Sequence, residues 1–272
     1  MDQSIVHRPQ STEKRSGYGP WTMDYGQEQV LQTGGPPWRI FIEEGLTACA
    51  QMARDVALAH EGRQTVRFFL WDPPAVSLGW KQPLPEWLSG AQRQASGLEL
   101  VERPTGGGIA FHGSDVSIAV IVPRAAGFRL STLMRAVCES ARRLCESYGA
   151  QATTLFDCSG TERVTYCLIQ SSPYAVMIGF RKVAGFALRR YAENCLIQGS
   201  LLVRPIHSRL ADVLPEDVTR KLAQRAVSLS EAGEVSLTPR GAAERWAANW
   251  SSWWSPQHRE ESDIVGHALR HL

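Results

Sequence analysis

Segments of strand-like composition recur along the chain at short intervals, and this spacing limits the folds that the chain can adopt. The first group lies between residues 63 and 123 and comprises RQTVRFFLW, DPPAVSLGW, LELVER, GIAFHG and VSIAVIVP, separated by turn-forming residues. A second group, RVTYCLI, YAVMIGF, KVAGFALRRY and CLIQGSLLV, lies between residues 163 and 203. Short connections join antiparallel strands, so this pattern predicts a mainly antiparallel sheet with an antiparallel meander in its second half.

Helical periodicity is found in segments that flank these strands rather than alternating with each of them. Apolar residues recur at three- and four-residue spacing in residues 43–60, 131–150, 215–226 and 238–254. Strands and helices in this order predict an α+β fold, with a central mixed, mainly antiparallel β-sheet flanked by helices.

Charge, hydropathy and cysteine spacing exclude several functional classes. Lysine and arginine exceed aspartate and glutamate by 29 − 27 = 2 charges, which gives no reason to expect binding to nucleic acid. No apolar run is long enough for a membrane span or a secretion signal, so we expect a cytoplasmic protein without a membrane partner. The six cysteines include no CxxC pair, and we expect no metal site.

The sequence RPTGGGIAFHG, residues 103–113, is the first candidate site. Its glycines, Gly106, Gly107 and Gly108, can bring successive backbone N–H groups together on an anion, and Arg103 adds a guanidinium suited to carboxylate or phosphate. The loop connects two strands, which disagrees with a Rossmann or P-loop site. A simple strand turn remains the alternative, and His112 could equally be a packed or solvent-facing strand residue.

Two further segments could contribute to a site. In GFRKVAGFALRRY, Lys182 lies in an otherwise apolar hairpin, where it could polarise a carbonyl or simply extend its amine to solvent. Gly185 allows another backbone or a ligand to approach closely. In WDPPAVSLGWKQ, the apolar AVSLG could line a pocket or form a core strand.

WDPPAVSLGWKQ, RPTGGGIAFHG, GFRKVAG and LIQGSLLV occur in the order found in the lipoate–protein ligase A, octanoyltransferase and biotin protein ligase superfamily, and residues 38–204 resemble its catalytic domain. The resemblance implies a medium-chain acyl group in an apolar tunnel beside the glycine-rich loop and the lysine, with Val76, Leu78 and Val183 in the tunnel wall. Members deliver octanoyl or lipoyl groups to a lysine of a lipoyl-domain protein. Met52 and Asp55 match the family's first helix.

Cys167, 15 positions before Lys182, resembles the nucleophile of the LipM-type cysteine octanoyltransferases. This implies that Cys167 accepts the acyl group from a carrier thioester, that Lys182 fixes the carbonyl, and that no cofactor is needed. Backbone N–H groups of the three glycines could stabilise the developing oxyanion. Alternatively, Cys167 is a small buried strand residue, or Cys158 is the reactive thiol. Gly108 departs from the arginine that this branch often carries at the third glycine.

The implied partners are an acyl carrier protein or lipoyl-domain donor and a lipoyl-domain acceptor, such as glycine cleavage H protein or the acyltransferase subunit of a 2-oxoacid dehydrogenase. The alternatives are a lipoate–protein ligase that uses ATP and Mg, and a binding module without chemistry. The expected organisation is a flexible leader at residues 1–36, the catalytic domain at 37–205 and a C-terminal helical extension at 206–272, which is short for a ligase accessory domain.

Overall fold

A computed structural model of the chain describes residues 29–31, 38–89, 91–157 and 164–253. The strands are β1 (Gln29–Leu31), β2 (Trp38–Glu43), β3 (Thr65–Phe69), β4 (Ala75–Leu78), β5 (Glu99–Glu102), β6 (Ala110–Phe111), β7 (Asp115–Pro123), β8 (Thr153–Leu155), β9 (Ala175–Ile178), β10 (Arg181–Arg190) and β11 (Asn194–Leu202). The helices are α1 (Ala48–Glu61), α2 (Ala91–Ser96), α3 (Leu130–Glu146), α4 (Ser208–Ala211), α5 (Glu216–Arg225), α6 (Leu229–Ala232) and α7 (Pro239–Trp253). Among these described residues, no helix is both long and apolar enough to cross a bilayer.

Within the described residues, eight strands form one sheet in the order β1-β2-β3-β7-β11-β10-β9-β8. The pair β2 and β3 is parallel, because α1 connects these strands as a crossover, and the other neighbours are antiparallel. A smaller sheet has the order β5-β4-β6. The mixed, mainly antiparallel sheet with flanking helices confirms the α+β fold predicted from the sequence.

The large sheet is covered on both faces, and β7 shows why its sequence is apolar throughout. Ile118 and Val120 belong to a cluster completed by α3 and α7, whereas Ala119 and Ile121 belong to a cluster completed by α1. Alternate residues of a strand point to opposite faces, so both faces of β7 are buried. A third cluster packs the small sheet against α5.

The C-terminal helices share the core of the sheet. Trp246 and Trp250 of α7 are fully buried and pack against Phe68 of β3, and Trp250 also packs edge-on against Trp38 of β2. Residues 206–253 are therefore attached to the sheet by a large aromatic contact. Residues 29–31, within the predicted leader, pair with β2, and the rest of residues 1–36 lies outside the described residues.

The prediction of a strand at RVTYCLI was wrong. Tyr166 forms an isolated bridge with Ile109, and the chain then turns. The side-chain oxygen of Gln170 accepts hydrogen bonds from the backbone N–H groups of Thr165 (2.5 Å) and Tyr166 (3.0 Å), which closes the turn. The predicted meander of the three following strands is correct.

Candidate active site

A cavity of about 460 Å³ lies where the three apolar clusters meet. Phe186 lines it from the cluster under α3 and α7, Phe111 from the small sheet, and Met52 from α1. Leu130 and Met134 of α3 add further apolar surface. A cavity with this lining suits an aliphatic chain better than a strongly polar ligand.

Cys167 lines this cavity and is attached to the end of the glycine-rich loop. Its backbone N–H donates to Ile109 O (2.8 Å), and Ile109 N–H donates to Thr165 O (2.7 Å). These two bonds join the segment that carries the thiol to residue 109, directly after the three glycines. The position of the sulfur therefore depends on the conformation of the loop.

The other described cysteines lie in different surroundings. Burial raises the pKa of Cys138 and Cys195, and it raises the pKa of Cys145 to about 12, so these thiols stay neutral and unreactive. Cys49 is exposed on α1 and does not line the cavity. Cys158 lies outside the described residues.

Arg103 is buried, and its guanidinium contacts both the glycine-rich loop and the thiol. Nη2 donates to Gly106 O (2.9 Å) and Gly108 O (2.7 Å), and it lies 3.4 Å from Cys167 Sγ. Nη1 donates to the backbone oxygen and to the hydroxyl of Ser77, both at 3.1 Å. One side chain therefore fixes the shape of the loop and places a positive charge against the sulfur.

Two glycines of this loop, Gly107 and Gly108, are packed against other backbone segments. A Cβ at Gly108 would lie 2.5 Å from Thr165 O, and a Cβ at Gly79 would lie 2.0 Å from Gly107 O. Gly107 has a φ of +95° and lines the cavity. Only glycine allows these approaches, so the departure at Gly108 agrees with the surroundings of this chain.

Lys182 is also buried and lines the cavity, and it is bound to the segment that follows Cys167. Its Nζ donates to Ser172 Oγ (2.6 Å) and lies 3.4 Å from Gln170 O. A Cβ at Gly185 would lie 2.9 Å from the lysine Cε. Gly185 thus leaves room for the lysine side chain, which is a more specific role than the predicted approach of a ligand or backbone.

His112 belongs to a buried polar chain. Its Nε2 lies 2.8 Å from Ser77 Oγ, and its Nδ1 lies 2.8 Å from Asp115 Oδ2. The ring stacks on Trp71 with 4.1 Å between centroids. Burial alone would raise the pKa of Asp115, but attraction to His112 and hydrogen bonds from His112, Ser200 and the Gly113 N–H lower it. Asp115 is therefore a carboxylate at neutral pH.

The assignment of Val76, Leu78 and Val183 to the tunnel wall needs correction. Val76 and Leu78 lie in the cluster under α5, Val183 lies in the cluster under α3, and none of the three lines the cavity. Ser77 lines it instead. Side chains alternate along a strand, so a β4 that presents Ser77 to the cavity turns its apolar neighbours away.

Sequence reasoning did not identify Ser77, Asp115 and Gln198 as site residues. Gln198 lines the cavity, donates to Asp55 Oδ2 (2.6 Å) and accepts from Thr105 Oγ1 (2.7 Å). The available signal was polarity, because each of these residues is polar within a buried strand segment. Among the described residues, no group of three or more histidine, cysteine, aspartate or glutamate side chains is placed to hold a metal ion.

The lipoyl protein ligase A/B catalytic domain family matches residues 47–250. Octanoyltransferase LipM of Symbiobacterium thermophilum is 30% identical over 221 residues, which cover 74% of this chain and 77% of that protein. Lipoate-protein ligase A bound with ATP superimposes with a TM-score of 0.59 at 20% identity, covering 78% of this chain and 84% of that one. The bipartite lipoate protein ligase of Thermoplasma acidophilum superimposes with a TM-score of 0.59 at 18% sequence identity, and the match covers 78% of this chain and 82% of that one.

Proposed function

Because the chain belongs to the lipoyl protein ligase A/B catalytic domain family, we propose that it is a protein N-octanoyltransferase that carries the acyl group on Cys167. The observation that carries this proposal is the position of the thiol. Cys167 lies in the wall of an apolar cavity that also contains Lys182 and Arg103. The named relative from S. thermophilum is an octanoyltransferase, which supports the same reaction.

The proposed reaction has two balanced steps. Cys167 Sγ attacks the carbonyl carbon of a carrier thioester, a new C–S bond forms, the carrier C–S bond breaks, and the carrier thiol takes the proton that Cys167 loses. The acceptor lysine amine then attacks the acyl carbonyl, the bond to Cys167 breaks, and the sulfur regains a proton from the amine. Thioester exchange is nearly thermoneutral, so the first step needs no ATP.

Several of the predicted site residues have a role in this proposal. Lys182 fixes the thioester carbonyl, and the N–H groups of Gly106, Gly107 and Gly108 stabilise charge on its oxygen. The apolar wall that includes Phe186 and Met134 holds the acyl chain. Such a wall distinguishes chain lengths by roughly 1 kcal/mol per methylene, because the discrimination comes from burial of apolar surface.

The proposed partners are an acyl carrier protein as donor and a lipoyl-domain protein as acceptor, with no cofactor. The structural analysis of the T. acidophilum lipoate protein ligase also covers its E2 lipoyl domain, which supports this class of acceptor. A second candidate is an ATP-dependent lipoate–protein ligase. The fold shared with lipoate-protein ligase A bound with ATP favours it, and ATP would then be a substrate.

The test is incubation with octanoyl acyl carrier protein, followed by intact-mass analysis. We expect one added octanoyl group that hydroxylamine removes, because a thioester is labile to this nucleophile. The Cys167→Ser protein should lack the labile adduct. The matched control is Cys49→Ser, which changes an exposed cysteine outside the cavity and should retain the adduct.

The same preparation distinguishes the ligase candidate. Free lipoate with ATP should leave an acceptor lipoyl domain unmodified and release no pyrophosphate if the protein is a transferase. Lipoylation with pyrophosphate release, undiminished in Cys167→Ser, would instead establish the ligase and reject the covalent route.

A further inference from the structure

The sulfur of Cys167 has a cationic neighbour in the buried guanidinium of Arg103. Arg103 Nη2 lies 3.4 Å from Cys167 Sγ, and the arginine is only 8% exposed. A buried guanidinium that is held against a sulfur stabilises negative charge on that sulfur. We propose that Arg103 is a catalytic residue that stabilises the Cys167 thiolate, which deepens the proposed function and rests on it.

Lys182 is placed for a different task. Its ammonium is hydrogen-bonded to Ser172 and lies near Gln170 O, so it holds the segment after Cys167 and faces the cavity from β10. The two cations therefore have different roles, because Arg103 contacts the sulfur and Lys182 contacts the substrate carbonyl. None of the described residues that line the cavity carries a carboxylate, so no lining anion competes with the sulfur for Arg103.

A chain of buried hydrogen bonds positions Arg103. Arginine can only donate, and the Asp115 carboxylate can only accept, which fixes the two ends of the chain. Arg103 donates to Ser77 Oγ (3.1 Å), Ser77 Oγ lies 2.8 Å from His112 Nε2, and His112 Nδ1 donates to Asp115 Oδ2 (2.8 Å). Ser77, His112 and Asp115 are therefore positioning residues that act through Arg103.

Asp115 is itself held from several directions, which makes the far end of the chain rigid. It accepts from Ser117 Oγ (3.1 Å), Ser200 Oγ (2.6 Å) and the Gly113 N–H (3.0 Å). Ser117 in turn accepts from Trp71 Nε1 (2.8 Å). A rigid support lets the guanidinium keep its contact while the sulfur is charged, both before it attacks the donor thioester and when it leaves the acylated intermediate.

The experiment measures the thiolate directly, without any acyl donor. The ultraviolet absorbance of the thiolate is obtained as the difference from Cys167→Ser, and alkylation of Cys167 by iodoacetamide is followed by peptide mass at neutral pH. We expect Arg103→Met to remove the absorbance and slow alkylation by about tenfold or more, because the charge is lost. Arg103→Lys should restore part of both signals.

Ser77→Ala gives a second measurement if Arg103→Met fails to fold. It leaves the guanidinium bonds to Gly106 O and Gly108 O in place and removes only the link to His112, so we expect slower alkylation, by about threefold, with native thermal unfolding. An unchanged thiolate signal in Arg103→Met, or in both Arg103→Lys and Ser77→Ala, would overturn the proposal. An absent octanoyl adduct on wild-type protein with a normal thiolate signal would instead reject the proposed function.

Discussion

At the scale of single residues, Gly106 and Gly108 make a matched pair for testing the glycine-rich loop. A Cβ at Gly108 would lie 2.5 Å from Thr165 O and 2.8 Å from Val164 O, both backbone atoms, whereas a Cβ at Gly106 meets nothing within 4 Å. Gly108→Ala must therefore displace the segment that leads to Cys167. We expect it to slow acylation of Cys167 by about a hundredfold, because an ångström of misplacement in a reacting group has that effect.

Gly106→Ala is the control for this prediction and should retain acylation to within about twofold of the wild type, since the added methyl enters open space. Single-turnover mass analysis of both variants measures the ratio. Equal acylation rates in the two proteins would contradict the packing of Gly108 against residues 164 and 165.

Candidate site residues could be selected from the sequence where a local pattern fixed the backbone, but the direction of their side chains could not be predicted. The three glycines, Arg103 and Lys182 were each proposed from their own segments, and of these Arg103, Gly107 and Lys182 line the cavity. The phase of β4 was not, because AVSLG contains two apolar residues around one serine and either face could have been the cavity face. Ser77 faces the cavity, since the small sheet buries Val76 and Leu78 against α5.

At the scale of elements, strongly patterned strands and helices could be predicted, and the segment around Cys167 could not. RVTYCLI has the β-branched and aromatic composition of a strand. Its backbone instead turns, because Gln170 accepts hydrogen bonds from the N–H groups of Thr165 and Tyr166. Hydrophobic periodicity does not reveal a side chain that competes for backbone hydrogen bonds, so this turn could not be predicted from the pattern.

The attachment of α7 to the sheet predicts a large effect of one tryptophan on stability. Trp246 is fully buried, packs 5.3 Å from Phe68 and donates to Ser140 Oγ (3.1 Å). We expect Trp246→Ala to lower the free energy of unfolding by about 3–5 kcal/mol, through lost burial and the cavity left behind. Urea denaturation followed by circular dichroism measures the change.

Trp80→Ala provides the control on the same residue type. Trp80 is 43% exposed and contacts the guanidinium of Arg189 at 4.5 Å. Its replacement should lower the free energy of unfolding by about 1 kcal/mol or less, the usual size of an exposed cation–π contact. A loss in Trp246→Ala as small as the one expected for Trp80→Ala would show that α7 contributes little to the stability of the sheet.

At the scale of the whole molecule, the order of the four motifs was sufficient to predict the fold. Residues from all four motifs line one cavity. The order of the motifs did not predict which cation contacts which atom. Lys182, 15 residues after Cys167, was assigned to the carbonyl, and Arg103, 64 residues before Cys167, is the residue whose guanidinium lies 3.4 Å from the sulfur. Side chains as long as arginine and lysine span a cavity, so their contacts depend on the packing of several elements together.

The chain of hydrogen bonds that ends at Asp115 joins the small sheet to β7 and β11. The charge of the Asp115 carboxylate makes the stability of the protein depend on pH. The pKa of Asp115 is lower in the folded protein than its ordinary value of 3.8, since attraction to His112 and several hydrogen bonds outweigh burial. A carboxyl group whose pKa is lowered by folding stabilises the folded protein at pH values above its pKa in the unfolded chain. This stabilisation is lost as the pH falls through the pKa of the folded protein.

We therefore expect Asp115→Asn to be less stable than the wild type by about 3 kcal/mol near neutral pH. The difference should shrink as the pH falls below 3.8, and urea denaturation between about pH 7 and pH 3 measures it. A difference that stays constant over this range would mean that the Asp115 charge contributes nothing to holding the two sheets together.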